Sequence, residues 1–105
     1  MIVREWRALA TKANAEIYSR YFEEKVVPAL KNLDGNRGAW LMRRDTEGDV
    51  ELVALTLWES HDFIKTFAGT DITKAYVEPE AQTMLTRFDD FASHYDLYLR
   101  IDLPA

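Results

Sequence analysis

Two segments of this chain, Ala39-Trp40-Leu41-Met42 and Leu52-Val53-Ala54-Leu55 with Leu57-Trp58 just beyond, are apolar at consecutive positions. Successive side chains of a strand point to opposite faces, so a continuous apolar run predicts a strand covered on both sides. The rest of the chain supplies two substantial helical patterns, and one layer of helices covers one face of a sheet. Left bare, the other face would form a larger apolar patch than soluble monomers usually carry. A second copy packed sheet to sheet is the simplest cover, because two-fold homodimers are the commonest oligomers. The chain is therefore expected to form a homodimer.

The remaining elements follow from periodicity and punctuation. Residues 2–9 alternate as a first strand, with Ile2, Arg4 and Trp6 on one face and Val3, Glu5 and Arg7 on the other. Thr11 is a predicted N-cap, and Tyr18, Tyr21, Phe22, Val26, Ala29, Leu30 and Leu33 recur at three- and four-residue intervals as one helical stripe. Pro28 should bend or end that helix. Asp34-Gly35-Asn36 reads as a turn, and residues 45–49 as a hairpin loop between strands at about 38–44 and 50–59. Ser60 is placed to cap the next helix through its hydroxyl, with Phe63, Ile64 and Phe67 as its buried face and Gly69 as a left-handed terminator. Pro79 opens a last helical piece over 80–86. A long strand over about 87–101 closes the chain. The order is β-α-β-β-α-β, an α+β, ferredoxin-like antiparallel sheet.

At 105 residues and 48% hydrophobic, the chain is expected to be one domain, 1–105. The absence of cysteine excludes a thiolate nucleophile and a disulfide framework. Charges from Arg4 onward interrupt any signal-like apolar run, and no run is long enough for a membrane span, so a cytoplasmic protein with no membrane partner is expected. A net charge of −5 argues against a nucleic acid partner. The densest basic pair, Arg43-Arg44, is followed by Asp45 and reads as a solvated hairpin end.

Several side chains carry potential chemistry. Arg4 shares a face with Ile2 and Trp6, and an enclosed guanidinium needs either a carboxylate, for which Asp90 is the candidate, or an anionic ligand. His94 alternates with Phe88, Asp90, Ala92, Asp96 and Tyr98, which points it inward as a satisfied buried histidine or as a ligand-facing one. His61, in the first turn of a helix, should be exposed. The two histidines lack metal-ligand spacing, so no metal site is expected. Trp58 either stacks on an aromatic ligand or plugs the end of the core. Tyr18, Tyr21 and Tyr76 either pack in the core or line a pocket beside Arg4.

The opening IVREWRA, the PALKNLDGNRG segment, the LTLWES junction, the FAGTDITKA turn and the closing FDDFASHYDLY together resemble the antibiotic biosynthesis monooxygenase superfamily. The resemblance implies a dimeric α/β barrel in which each protomer keeps a pocket between sheet and helices. It also implies a cofactor-independent monooxygenase that oxidises a small phenolic or polycyclic aromatic substrate with dioxygen. In that reading His94 and Arg4 are catalytic, as base or relay and as anion stabiliser, while Trp6, Trp58, Tyr18 and Tyr76 shape the substrate site. The substrate supplies the redox chemistry, so no cofactor is expected. Haem-degrading members carry Asn on the first strand, then Trp and an axial His further on. Here the first strand has no Asn, and Phe67 and Val77 stand at the other two positions, which argues against haem degradation. The competing reading is a non-catalytic homodimer that binds a small aromatic ligand or serves as a stress-related scaffold.

Overall fold

The computed structural model describes residues 1–104. Strand β1 (Ile2–Ala10) leads into helix α1 (Lys12–Tyr21), a π-helical turn (Phe22–Val26) and helix α2 (Val27–Lys31). Strands β2 (Asn36–Asp45) and β3 (Val50–Trp58) form a hairpin, followed by α3 (His61–Ala68), α4 (Pro79–Gln82), β4 (Arg87–Phe88) and β5 (Ser93–Asp96). The sheet is antiparallel in the order β2-β3-β1-β4, with β5 also on β1. This is the ferredoxin-like strand order, open in the single chain.

The first helical segment departs from expectation at Pro28, which neither ends nor breaks it. Proline clashes with the carbonyl four residues back and supplies no amide. The chain absorbs the misfit one turn earlier, where Val27 N–H donates to the Phe22 carbonyl across five residues. Proline then sits in the first turn of α2, where its missing N–H is tolerated. The wider turn also serves the core. Tyr18, Phe22, Val26 and Leu30 are four residues apart, and on a regular α-helix each such step drifts by about 40°. The π turn takes up that drift, so Tyr18, Phe22 and Leu30 are all buried.

Other local signals are met in modified form. Thr11 Oγ1 accepts from Asn14 N–H at 3.1 Å, as an N-cap should. Ser60 precedes α3 in an extended conformation, but its hydroxyl makes no capping bond. Gly69 ends α3 with φ +92°, in the region that favours glycine, although its ψ of −179° is extended rather than left-handed helical. Gly35 needs its positive φ and its missing side chain, because a Cβ there would overlap the Phe63 ring.

The long closing strand is instead broken. Ala8 pairs with Phe88 and Arg4 with His94. Six residues therefore separate on one strand what four separate on the other. The excess forms an excursion in which Asp90 C=O accepts from Ala75 N–H at 2.9 Å and Ala92 N–H donates to Thr73 C=O at 2.8 Å. Residues 90–92 thus leave β1 to hold the turn that follows α3.

Register assigns the two faces. Ile2, Arg4, Trp6 and Ala8 of β1 and Leu52, Ala54, Thr56 and Trp58 of β3 face the helices. Val3, Trp40, Met42, Val53, Leu55, Leu57 and Tyr95 share the outer face. Trp40 and Met42 are roughly half exposed there, and the Trp40 ring folds back over Gly38. No helix among the described residues is long and apolar enough to cross a membrane.

Candidate functional site

Between the sheet and the helices lies a cleft of about 360 Å³, a volume suited to a small organic ligand. Its floor comes from Arg4 and Trp6 on β1 and from Ala54 and Thr56 on β3. Tyr18, Tyr21, Phe22 and Val26 descend from α1 and the π turn, and Phe67 from α3. The segment from Ala75 to Ala81 closes the remaining side with Tyr76, Glu78 and Glu80. The space exists because Ala54 and Thr56 are small where their neighbours on the same face, Leu52 and Trp58, are large.

Arg4 is the electrostatic centre of the site. Only 5% exposed, it has no carboxylate partner among the described residues. The expected pairing with Asp90 does not form, because the excursion of residues 90–92 carries Asp90 to the turn after α3, where its side chain is exposed. Arg4 Nη1 donates to the Ile72 carbonyl at 2.5 Å, and Nη2 to the Lys74 carbonyl at 3.1 Å. Nη1 also meets His94 Nε2 at 2.9 Å, and the guanidinium lies 5.9 Å from the Phe67 ring centre. Three of the five N–H donors are thus committed, leaving two on a group that lines the cleft. Burial lowers the Arg4 pKa to about 10, so the group remains cationic near neutrality.

His94 faces the helical side, but it stands behind Arg4 rather than in the cleft wall. The exposed His61 ring lies 6.0 Å from it, edge-on. Partial burial first, then Arg4 and His61, push the His94 pKa below its ordinary value. Well above about pH 6.5, both folded and unfolded His94 are neutral. As pH falls through that value the unfolded chain takes up the proton first, so stability declines with acidification. The urea midpoint is expected to drop between about pH 7.5 and 5.5, and His94→Gln should flatten that part of the profile; an identical slope in the variant would refute this assignment.

The aromatic candidates divide. Trp6 lines the floor and donates Nε1–H to the Asp89 carbonyl at 2.8 Å. Tyr18 is buried against Trp6, Tyr21 and Phe22, and burial raises its pKa. The Tyr21 pKa is raised by burial and then by Glu78, Glu80 and Tyr76, so both phenols stay protonated at neutral pH. Tyr76, 64% exposed, stands at the cleft mouth. Trp58 does not reach the cleft: it is 0% exposed, packs 5.7 Å from Phe67, and donates to Thr56 Oγ1 at 2.8 Å. It touches the site only from behind, through Thr56 and Phe67.

Sequence reasoning missed Lys25, Thr56, Glu78 and Glu80 as lining residues. Thr56 was legible as a small polar residue on the face carrying Leu52 and Trp58; nothing local marks the other three. Phe67 and Val77 both line the cleft. Among the described residues, no three His, Asp or Glu side chains converge as a metal ligand set.

No family model matches the chain, and no curated protein matches it in sequence. Solved structures do match. A Bacillus cereus protein provisionally assigned as an antibiotic biosynthesis monooxygenase aligns with a TM-score of 0.66 at 15% identity, over 100% of this chain and 98% of that one. A Deinococcus radiodurans protein with the same provisional assignment gives 0.64 at 11% identity, over 100% of both chains. SnoaB, a cofactor-independent oxygenase from Streptomyces nogalater, gives 0.57 at 16% identity, over 99% of this chain and 98% of that one. At these identities the likeness establishes a shared fold, the ferredoxin-like fold of antibiotic biosynthesis monooxygenase structures.

Proposed function

We propose that this protein is a cofactor-independent monooxygenase that oxidises a small phenolic or polycyclic aromatic substrate with dioxygen. The observation that carries the reading is a buried guanidinium with no carboxylate partner among the described residues, lining an aromatic cleft with N–H donors they leave unused. Such a group stabilises negative charge as it develops on a bound phenol or enol, in a setting where water is scarce. The electron-rich anion then transfers an electron to dioxygen. One oxygen atom enters the substrate and the other leaves as water, as the ring carbon ortho or para to the oxyanion, a methylene in the keto form of an anthrone, becomes a carbonyl, so the substrate supplies all four electrons. The fold shared with SnoaB, a cofactor-independent oxygenase, supports the reading.

Oxygen uptake with a panel of hydroquinones and anthrones tests it. Uptake above a protein blank that falls in Arg4→Met is expected. Uptake equal to the blank for every substrate favours the binding-only reading, to which one feature already lends weight: the cleft wall contains no imidazole base.

The working form in this proposal is a homodimer. The outer sheet face is apolar across β2 and β3 and at Val3 and Tyr95, while the Arg7–Glu5, Arg7–Glu51 and Arg44–Glu51 ion pairs make a polar patch that runs across it from β1. Beyond β5, Tyr98, Leu99, Ile101 and Leu103 are all largely exposed, extending the apolar surface that a second copy would cover. Sedimentation at tens of micromolar should give a dimer. Trp40→Glu with Met42→Glu should weaken association at least about tenfold. A wild-type monomer at that concentration would remove the dimer from the proposal.

A further inference from the structure

We infer that His94 is a positioning residue for Arg4, holding its guanidinium as a neutral acceptor so that the unused N–H donors present to an anionic oxygen in the cleft. The inference rests on the reading of Arg4 as an anion receptor and assigns His94 a task different from that of a base.

The chemistry of the contact leaves one arrangement. Arginine only donates, so the 2.9 Å approach of Nη1 to His94 Nε2 requires a bare nitrogen on the imidazole and places its proton on Nδ1. Nε2 is thereby occupied by Arg4, and His94 is absent from the cleft wall, so it is not poised to take a proton from a ligand. The two residues are also direct cross-strand neighbours on β1 and β5.

Arg4 is gripped at three points that come from different parts of the chain. The Ile72 and Lys74 carbonyls hold it from the turn after α3, and His94 holds it from β5. That same turn is fixed from its other side by Asp90 and Ala92. Carbonyls hold the guanidinium by hydrogen bonding alone, whereas the imidazole can also lose its acceptor by protonation. The titratable and charged groups facing His94 are Arg4 from β1 and His61 from α3, with Asp96 two residues along its own strand. Arg4 and His61 both oppose a charge on His94, which keeps it an acceptor near neutral pH.

Two measurements test the inference. Long-range proton–nitrogen correlation spectra of the wild-type protein at neutral pH should show His94 protonated on Nδ1 and bare on Nε2. A proton on Nε2 overturns the proposal whatever the ligand does. In binding measurements with 2-naphthoate and its neutral analogue 2-naphthamide, the wild type should prefer the naphthoate at least about tenfold, the scale of one charge-assisted contact. His94→Gln, whose amide oxygen replaces Nε2 as acceptor, should keep that preference. His94→Leu should bring the two ligands close to parity while its naphthamide affinity changes less than about twofold. Equal loss for both ligands, or an unchanged preference in His94→Leu, overturns the positioning role. A wild type that binds both ligands equally overturns the anion-receptor reading beneath it, and the nitrogen spectra then report on the His94–Arg4 contact independently.

Discussion

Trp58→Ala is expected to lose about 3–5 kcal/mol of stability, the range for emptying a large aromatic site in a core. Trp58 is fully enclosed and belongs to a cluster with Ile2, Leu30 and Ile64, so its removal loosens β1, α2 and α3 together. It also strips Thr56 Oγ1 of its donor beside the cleft. A small domain has a total margin of about 5–15 kcal/mol, so much of the native state is at stake. Urea unfolding followed by circular dichroism at fixed protein concentration measures the loss. Trp58→Phe should cost less, because it keeps most of the packing and forfeits the hydrogen bond. A loss below about 1 kcal/mol for the alanine variant would contradict the enclosed packing described above.

The largest functional effect is expected at Arg4. Arg4→Met should lower oxygen uptake on an active aromatic substrate by about 10²–10³-fold, the usual consequence of removing a preorganised donor to a developing anion. Folding should survive, because two opposed changes of about 1–3 kcal/mol each accompany the substitution. A desolvated charge disappears, which stabilises, while the Ile72 and Lys74 carbonyls lose their donors, which destabilises. Arg4→Lys keeps the charge but not the planar fork, and should recover only part of the rate. Unchanged uptake in Arg4→Met, with the fold intact by circular dichroism, would end the proposed role.

Much of this architecture is written locally. Strands β1, β2 and β3 follow from their own alternation or their own unbroken apolar runs, and Thr11 caps α1 as its position suggests. Arg4, Trp6 and Tyr18 share a site because strand parity and helical spacing turn them inward. His94 was placed correctly for a less obvious reason: the closing strand slips by two residues between Phe88 and His94, and an even slip preserves the face. The same slip displaced Asp90, which parity alone had put beside Arg4. What replaced the expected carboxylate, two backbone carbonyls from residues 72–74, has no side-chain signature at all. Backbone acceptors belong to every residue, so only tertiary structure decides which pair meets a given guanidinium. Trp58 illustrates the opposite difficulty. An aromatic at a strand end has the same local pattern whether it reaches a ligand or stops one layer short, and here Thr56 stands between.

The π turn gives the first helix one residue more than an uninterrupted spiral would hold over the same rise. A chain lacking Glu24 would wind more regularly, yet everything after the deletion would swing by about a quarter of a revolution. Leu30 would turn away from Ile2, Trp58 and Ile64, and the Phe22–Val26 shoulder above the cleft would narrow. Length in this segment is therefore constrained from two directions at once, by the hydrophobic interior on one flank and by the room left for a guest on the other.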